Sequence, residues 1–192
     1  MKKNCSWSRS DSLMIEYHDK EWGVPVHSDR LLFEYFVLDA FQAGLSWKTI
    51  LHKRKNFKKA FSNFNFNKVA KYGARERARL LKNAGIVRNR LKIDATINNA
   101  KKFLEIKKEF GTFDKYIWKF TNGKTRVNKW KAMNQIPTTS KESDAISKDL
   151  KQRGFKFVGS TIVYAFMQAA GIVNDHVMSC FRYKEIINKH EK

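Results

Sequence analysis

The chain is 192 residues long and 42% hydrophobic, with 15 Phe but only 2 Pro and 9 Gly. That mix builds one domain with a buried core, and it excludes a disordered polymer or a string of flexible linkers. Against 18 Asp and Glu stand 39 Lys and Arg, a net charge of +21; the excess points to a polyanionic partner without separating DNA from RNA or an anionic membrane surface.

The chain opens Met1-Lys2-Lys3-Asn4-Cys5, with charge but no apolar run behind it, so it does not read as a signal peptide. No stretch reaches the roughly 20 apolar residues that span a bilayer. The expected location is the cytoplasm, where Cys5 and Cys180 stay as thiols, free or metal-bound. Residues 29–43 are nearly all apolar and predict a buried helix stopped by Gly44. Ser46 predicts an N-cap for a second helix, from Trp47 to about Phe61. A short helix from Arg75 to Asn83, the turn Ala84-Gly85-Ile86-Val87 and a long helix from Arg88 to about Phe110 follow. Along that long helix Lys101, Lys102, Lys107 and Lys108 read as a solvated face. Ser143 or Asp144 starts another helix, which ends at Gly154 with Phe155 as its hydrophobic clasp. Ser160 then caps an apolar helix running to Ala170, closed by Gly171. Strand signals are poor, residues 123–138 carry no legible motif, and the predicted fold is all-α.

Four constellations could carry chemistry. Cys5, His18, His176 and Cys180 offer a Cys2His2 donor set for zinc, and the spacing of four between His176 and Cys180 suits one helical turn. The same residues also fit two unrelated thiols and two hydrogen-bonded histidines. Asp39 is a carboxylate inside an apolar run, which marks either a functional site or a stripe it shares with Tyr35 and Gln42. Trp7, Tyr17, Trp22 and Trp47 read either as core or as a stacking pocket for a base. The turn 84–87 with Arg88, Arg90 and Lys92 behind it suits either a phosphate contact or an ordinary helix–helix turn with a basic surface. His27, His52 and His190 have no partner at useful spacing and read as surface residues.

Several blocks together resemble one family. They are Cys5-Ser6-Trp7, Tyr17-His18-Asp19-Lys20-Glu21-Trp22-Gly23-Val24-Pro25, Gln42-Ala43-Gly44-Leu45-Ser46-Trp47, Ala84-Gly85-Ile86-Val87-Arg88, and Arg153-Gly154-Phe155-Lys156-Phe157-Val158-Gly159 running on to Asn174-Asp175-His176. In this order they resemble the DNA-3-methyladenine glycosylase I family, the constitutive bacterial branch of the helix-hairpin-helix glycosylases. The resemblance implies an all-α helix-hairpin-helix glycosylase fold. It implies a structural zinc on Cys5, His18, His176 and Cys180 that staples residues 1–25 to 172–192.

It further implies a base pocket of Trp7, Met14, Tyr17, Trp22 and Trp47, with Asp39 as the acidic group that accepts a hydrogen bond from the base. Gln42, Gly44 and Leu45 would enter the gap left in the duplex, Leu45 as the wedge, while Gly85, Arg88 and Arg90 would contact the backbone. The implied activity is excision of 3-methyladenine from alkylated double-stranded DNA; no lysine stands out as a nucleophile, so release by water is expected, and a monomer is the default expectation. Two departures bear on substrate preference: Asp39 and Met14 stand where the family carries Glu and Tyr. A DNA-binding module without catalysis, or a zinc protein that binds RNA, are the rival readings.

Overall fold

In the computed structural model, which describes residues 3–190, the chain is a stack of helices around a Phe-rich core. A 3-10 turn at Ser6–Ser10 leads into α1 (Ser12–Lys20), whose N-cap Asp11 accepts a hydrogen bond from the Met14 amide. α2 (Asp29–Gln42) is buried from Leu32 through Phe41, as expected of a helix that is apolar all round. α3 (Trp47–Ala60) begins where Ser46 Oγ accepts from the Thr49 amide, the predicted cap. After α4 (Phe66–Val69) and α5 (Ala74–Lys82), the turn 83–89 opens α6 (Arg90–Phe110). α7 (Phe113–Trp118), α8 (Lys141–Gln152), α9 (Ser160–Ala169) and α10 (Phe181–His190) complete the set. α2 lies at the centre, packed on α3, α6, α7 and α9. Among the described residues no helix is long and apolar enough to cross a membrane.

Three local expectations need correction. α6 starts at Arg90, not Arg88, because the side chain of Asn89 takes the cap position and accepts from the Lys92 amide. α8 starts at Lys141: the cap is Ser140, and Ser143 is the residue that closes the reciprocal capping box with it. At α9 the cap position belongs to Gly159, and Ser160 Oγ instead reaches Asp144 and Ser143 on α8. The end of α8 holds to expectation: Gly154 has φ +84°, and Phe155 N–H donates to the Leu150 carbonyl at 3.0 Å.

The segment without a motif also has structure. Residues Arg126–Val127 (β1) pair in parallel with Val173–Asn174 (β2), the one short ladder among the described residues. The start of β2 is fixed by Gly171, at φ +68°, where an added Cβ would lie 2.3 Å from the Val24 carbonyl carbon. Only glycine lets the two ends of the chain approach so closely. Gly23 and Val26 then donate to the carbonyls of Gln168 and Ala170, so the N-terminal stretch runs along the end of α9.

Candidate active site and metal centre

The approach of the two termini gathers Cys5, His18, His176 and Cys180, all buried, with one donor atom of each within 4.8 Å of the others. Cys180 Sγ lies 3.5 Å from His18 Nε2 and 3.5 Å from His176 Nδ1, and Cys5 Sγ lies 3.7 Å from His176 Nδ1. A tetrahedron built on zinc–sulfur bonds of ~2.3 Å and zinc–nitrogen bonds of ~2.0 Å has edges of about 3.5 Å, which these spacings match. The remaining ring nitrogens are tied outward: His18 Nδ1 to Asp19 Oδ1 at 2.7 Å, and His176 Nε2 to the Trp22 carbonyl at 3.0 Å. Each imidazole therefore turns its other ring nitrogen toward the thiols, that of His18 also accepting from the Cys5 amide at 3.4 Å. A hydrogen bond from Cys5, with help from both imidazoles, holds the Cys180 thiol well below its ordinary range. The same hydrogen bond, with burial, pushes Cys5 up. The donor set fits a thiophilic cation that replaces this shared proton. His176 and Cys180 do not share a helical turn as the spacing suggested. Cys180 lies in the turn before α10, its amide bonded to the Val177 carbonyl.

Against this cluster lies a cavity of about 640 Å³. Trp22 joins the two features: its ring meets His176 edge-on at 4.6 Å and lies parallel to His18, while Trp7 packs on it at 5.1 Å. Met14 and Tyr17 on α1, Trp47 at the start of α3, and Trp7 and Trp22 all line the cavity. The structure thus gathers the five predicted pocket residues in one wall. Tyr17 and Trp47 stand 5.1 Å apart between ring centroids.

Asp39 opens onto the same cavity, only 4% exposed, and its Oδ2 has no hydrogen-bond partner among the described residues. Burial alone lifts its carboxyl well above the usual carboxylate range. Trp47 Nε1 is a second buried polar atom left without a partner. The exposed-stripe reading of Tyr35, Asp39 and Gln42 does not hold: Tyr35 is buried and donates to Glu21, which is held with Glu34 by Arg54. Gln42 is half-buried and lines the cavity.

Outside the cavity mouth the turn after α2 carries Gly44 at φ +77° and Leu45, which is 41% exposed. In the turn between α5 and α6, Ile86 is buried, Arg88 and Arg90 are exposed, and Gly85 N–H already donates to Asn83 Oδ1 at 2.8 Å. Lys92 is not part of that basic surface. It is 6% exposed, and its Nζ donates to the carbonyls of Phe41 at 2.7 Å and Ala43 at 2.5 Å. Burial lowers its pKa, and its charge caps the negative end of α2. His27 and His52 are exposed, but each has a partner, Asp114 and Asp11; the side chain of His190 lies outside the described residues. Sequence reasoning also missed Asp175 and the segment 125–136, which supplies Met133 and Ile136 to the cavity.

A slot walled by aromatic faces, with one unpartnered carboxylate oxygen and one unpartnered indole N–H, suits a flat ring that carries hydrogen-bonding edges. The chain belongs to the methyladenine glycosylase family, whose model matches residues 7–183; its members are hydrolases of N-glycosyl bonds. It is similar to DNA-3-methyladenine glycosylase 1 of Escherichia coli (strain K12), at 46% identity over 94% of this chain and 97% of that protein. Among solved structures it resembles a 3-methyladenine DNA glycosylase I with a TM-score of 0.91 at 45% identity, over 93% of this chain and 98% of that one. A single-site variant of such an enzyme, solved in complex with 3-methyladenine, matches with a TM-score of 0.90 at 35% identity, over 93% and 96% of the two chains.

Proposed function

We propose that this chain excises 3-methyladenine from alkylated duplex DNA as a monofunctional glycosylase and leaves an abasic site. The observation that carries the reading is the pair of orphaned polar atoms, Asp39 Oδ2 and Trp47 Nε1, in a buried aromatic slot. Leaving such groups unsatisfied is unfavourable in an empty pocket, and a base edge with an amino group and ring nitrogens supplies what each lacks.

In this reading the damaged nucleotide turns out of the helix and its base enters between Tyr17 and Trp47, with Trp7, Trp22 and Met14 completing the walls. An adenine methylated at N3 is cationic, so the aromatic faces attract it and Asp39 accepts from its amino group. The positive base already weakens its bond to the sugar. As that bond breaks, its electron pair neutralises the base. A water adds to the anomeric carbon and loses a proton to solvent, so no lysine adduct forms. Leu45, exposed on the turn after α2, fills the gap in the stack together with Gln42 and Gly44. Arg88 and Arg90, with the helix-hairpin-helix turn at Gly85, hold the backbone. Since the Gly85 amide is already bonded to Asn83, the two arginines take the larger share of that contact. Asp39 and Met14, where the family carries Glu and Tyr, leave the slot deeper and softer and shift its preference among alkylated adenines.

Cys5, His18, His176 and Cys180 hold a structural Zn2+ whose four positions are all protein, so it supplies folding stability and no reacting site. The whole chain, 1–192, then acts as one glycosylase domain with 1–25 and 172–192 joined at that metal, a monomer in the cytoplasm. The test is base release from methylated duplex DNA by the wild type and Trp47→Ala. Stacking on an aromatic is worth about 1–3 kcal/mol per base, so the variant should lose about 5- to 150-fold in excision. A folded, metal-loaded wild type that releases no 3-methyladenine overturns the proposal.

A further inference from the structure

Asp175 is 1% exposed and accepts four hydrogen bonds, all from neutral donors. Its Oδ1 takes Asn128 Nδ2 and Trp130 Nε1, both at 2.7 Å. Its Oδ2 takes Tyr164 Oη at 2.7 Å and Gln168 Nε2 at 2.8 Å. One oxygen therefore grips the segment 125–136, and the other grips α9, whose Gln168 lines the base cavity. The segment is also tied at its start, where Thr125 Oγ1 donates to Gly171 and the β1–β2 ladder follows. Its last anchor is Trp130, whose carbonyl accepts from the Met178 amide at 2.9 Å. Beyond it, the hydrogen bonds of residues 131–139 among the described residues run within the segment: Gln135 Oε1 accepts from the amides of Lys131 and Ala132, and a 3-10 turn spans Met133–Gln135. Met133 and Ile136 nevertheless reach the cavity, and Trp130 and Met133 pack against the aromatic cluster that includes Tyr17 and Trp22.

We infer that residues 125–136 are a strap forming the outer wall of the base pocket, and that Asp175 is the positioning residue that docks it. The inference rests on the base-excision reading for its ligand. Physically, a carboxylate that satisfies four neutral donors in a buried site is a rigid joint, because losing it strands polar groups on both sides at once. The Trp130 indole N–H and the Asn128 amide are the strap's two links to that joint, both to a carboxylate oxygen and so stronger than a neutral pair, and Trp130 is the one that also packs against the pocket's aromatic cluster. With the joint loosened, Met133 and Ile136 no longer close the slot, while the DNA-facing turns at 42–46 and 83–89 stay where α2, α3, α5 and α6 hold them. Asp175 and Trp130 thus govern how tightly a free base is held, separately from how tightly the protein holds DNA.

The experiment uses the intact, metal-loaded protein as wild type, Asp175→Asn, Trp130→Phe and Met133→Ala. Titration calorimetry reads binding of free 3-methyladenine, fluorescence anisotropy reads binding of an undamaged duplex, and hydrogen exchange reads the strap. Trp130→Phe keeps an aromatic ring but removes the N–H donor together with part of the indole; it should weaken base binding about tenfold. Met133→Ala should weaken base binding without touching the Asp175 joint, and Asp175→Asn should act at least as strongly as Trp130→Phe. Duplex affinity should stay within about twofold of wild type in all three, and in Trp130→Phe faster exchange should be confined to 126–136. If Trp130→Phe and Met133→Ala bind the base like wild type, or exchange in the strap is unchanged, the inference is overturned. Equal losses of base and duplex binding overturn it too, since Asp175 would then stabilise the fold generally. A wild type that takes up no 3-methyladenine refutes the base-excision reading instead, and the exchange data still decide whether Trp130 docks the strap.

Discussion

Replacing Asp39 by Asn should move stability and activity in opposite directions. The carboxyl is 4% exposed, Oδ2 has no partner among the described residues, and burial alone raises its pKa well above the ordinary range. Because the fold raises the pKa of an acid, the folded chain keeps a proton that the unfolded chain loses as pH climbs past the ordinary carboxylate range. Rising pH therefore favours unfolding across the window from that range up to the folded pKa, and the stability present in acid is lost through it. Asparagine has the same shape and no charge to bury. A buried polar group without a partner costs about 1–3 kcal/mol, more when charged, so the charge-specific part removed at pH 8 is on the order of 1 kcal/mol. For a chain of this length that is a rise in Tm of about 2–4 °C. The advantage should shrink as pH falls toward about 4 and vanish below it, where the wild-type carboxyl becomes protonated in the unfolded state as well.

The same substitution removes the acceptor for a cationic base. Hydrogen bonds to charged groups contribute about 1.5–3 kcal/mol, so excision of 3-methyladenine should fall about 10- to 150-fold. Entry of the cationic nucleotide favours the ionised carboxyl, so wild-type affinity for it should rise with pH until Asp39 is already ionised in the free protein, and Asp39→Asn should lack that slope. Thermal melts at pH 5 and pH 8 beside single-turnover base release check both halves. An Asp39→Asn protein that is less stable than wild type at pH 8, or that excises at the wild-type rate, refutes the reasoning.

Lys92→Met should strand the carbonyls of Phe41 and Ala43 and cost about 2 kcal/mol or more, lowering Tm by roughly 4–8 °C in thermal melts. Hydrogen exchange should quicken first in the turn after α2. Chelation should lower Tm and release one zinc per chain, measured with a chromogenic chelator; it should proceed more readily as pH falls, because the histidines and thiolates must be deprotonated to bind. Arg88→Ala and Arg90→Ala should each weaken binding to damaged and undamaged duplex alike and reduce the salt slope of the affinity by about 0.9 per lost phosphate contact.

The helical frame was legible because α2 and α3 announce themselves locally: an unbroken apolar run in one, a serine cap and a one-sided apolar stripe in the other. Starts slipped where several capping residues stand in a row. Thr138, Thr139 and Ser140 precede α8, and Ser143 qualifies as a cap in isolation although it is the partner in Ser140's box. Lys92 was grouped with Arg88 and Arg90 because all three follow one turn. Yet it stands four residues before Thr96 and seven before Asn99, both buried on the inward face of α6, so its periodicity already argued against solvent. The pocket residues were legible only through family resemblance. Trp7, Trp22 and Trp47 carry no signal that separates a slot from a core, and 125 residues intervene between Gln42 and Gln168, where α9 supplies the facing wall. The strap was invisible for a plainer reason. A two-residue ladder has no period to detect, and the partners of Asp175 on the strap stand 47 and 45 residues away.

These features share one geometric cause. The cavity lies where the first turns of the chain meet its last ones, so its walls come from elements that no local signal could pair. Gly171 permits that meeting by letting backbone touch backbone, the Cys and His side chains gather directly behind it, and Trp22 presents one face to the histidines and another to the cavity. A pocket assembled this way cannot hold its shape through helix propensity alone. It depends on two polar joints, the Cys/His cluster behind Trp22 and Asp175 behind the strap, adjacent in sequence at Asp175 and His176. Because both joints are buried and specific, they fix one arrangement of the aromatic walls. That arrangement leaves Asp39 Oδ2 and Trp47 Nε1 without partners among the described residues, a local cost that the rest of the core can carry and that a base bound as proposed would relieve.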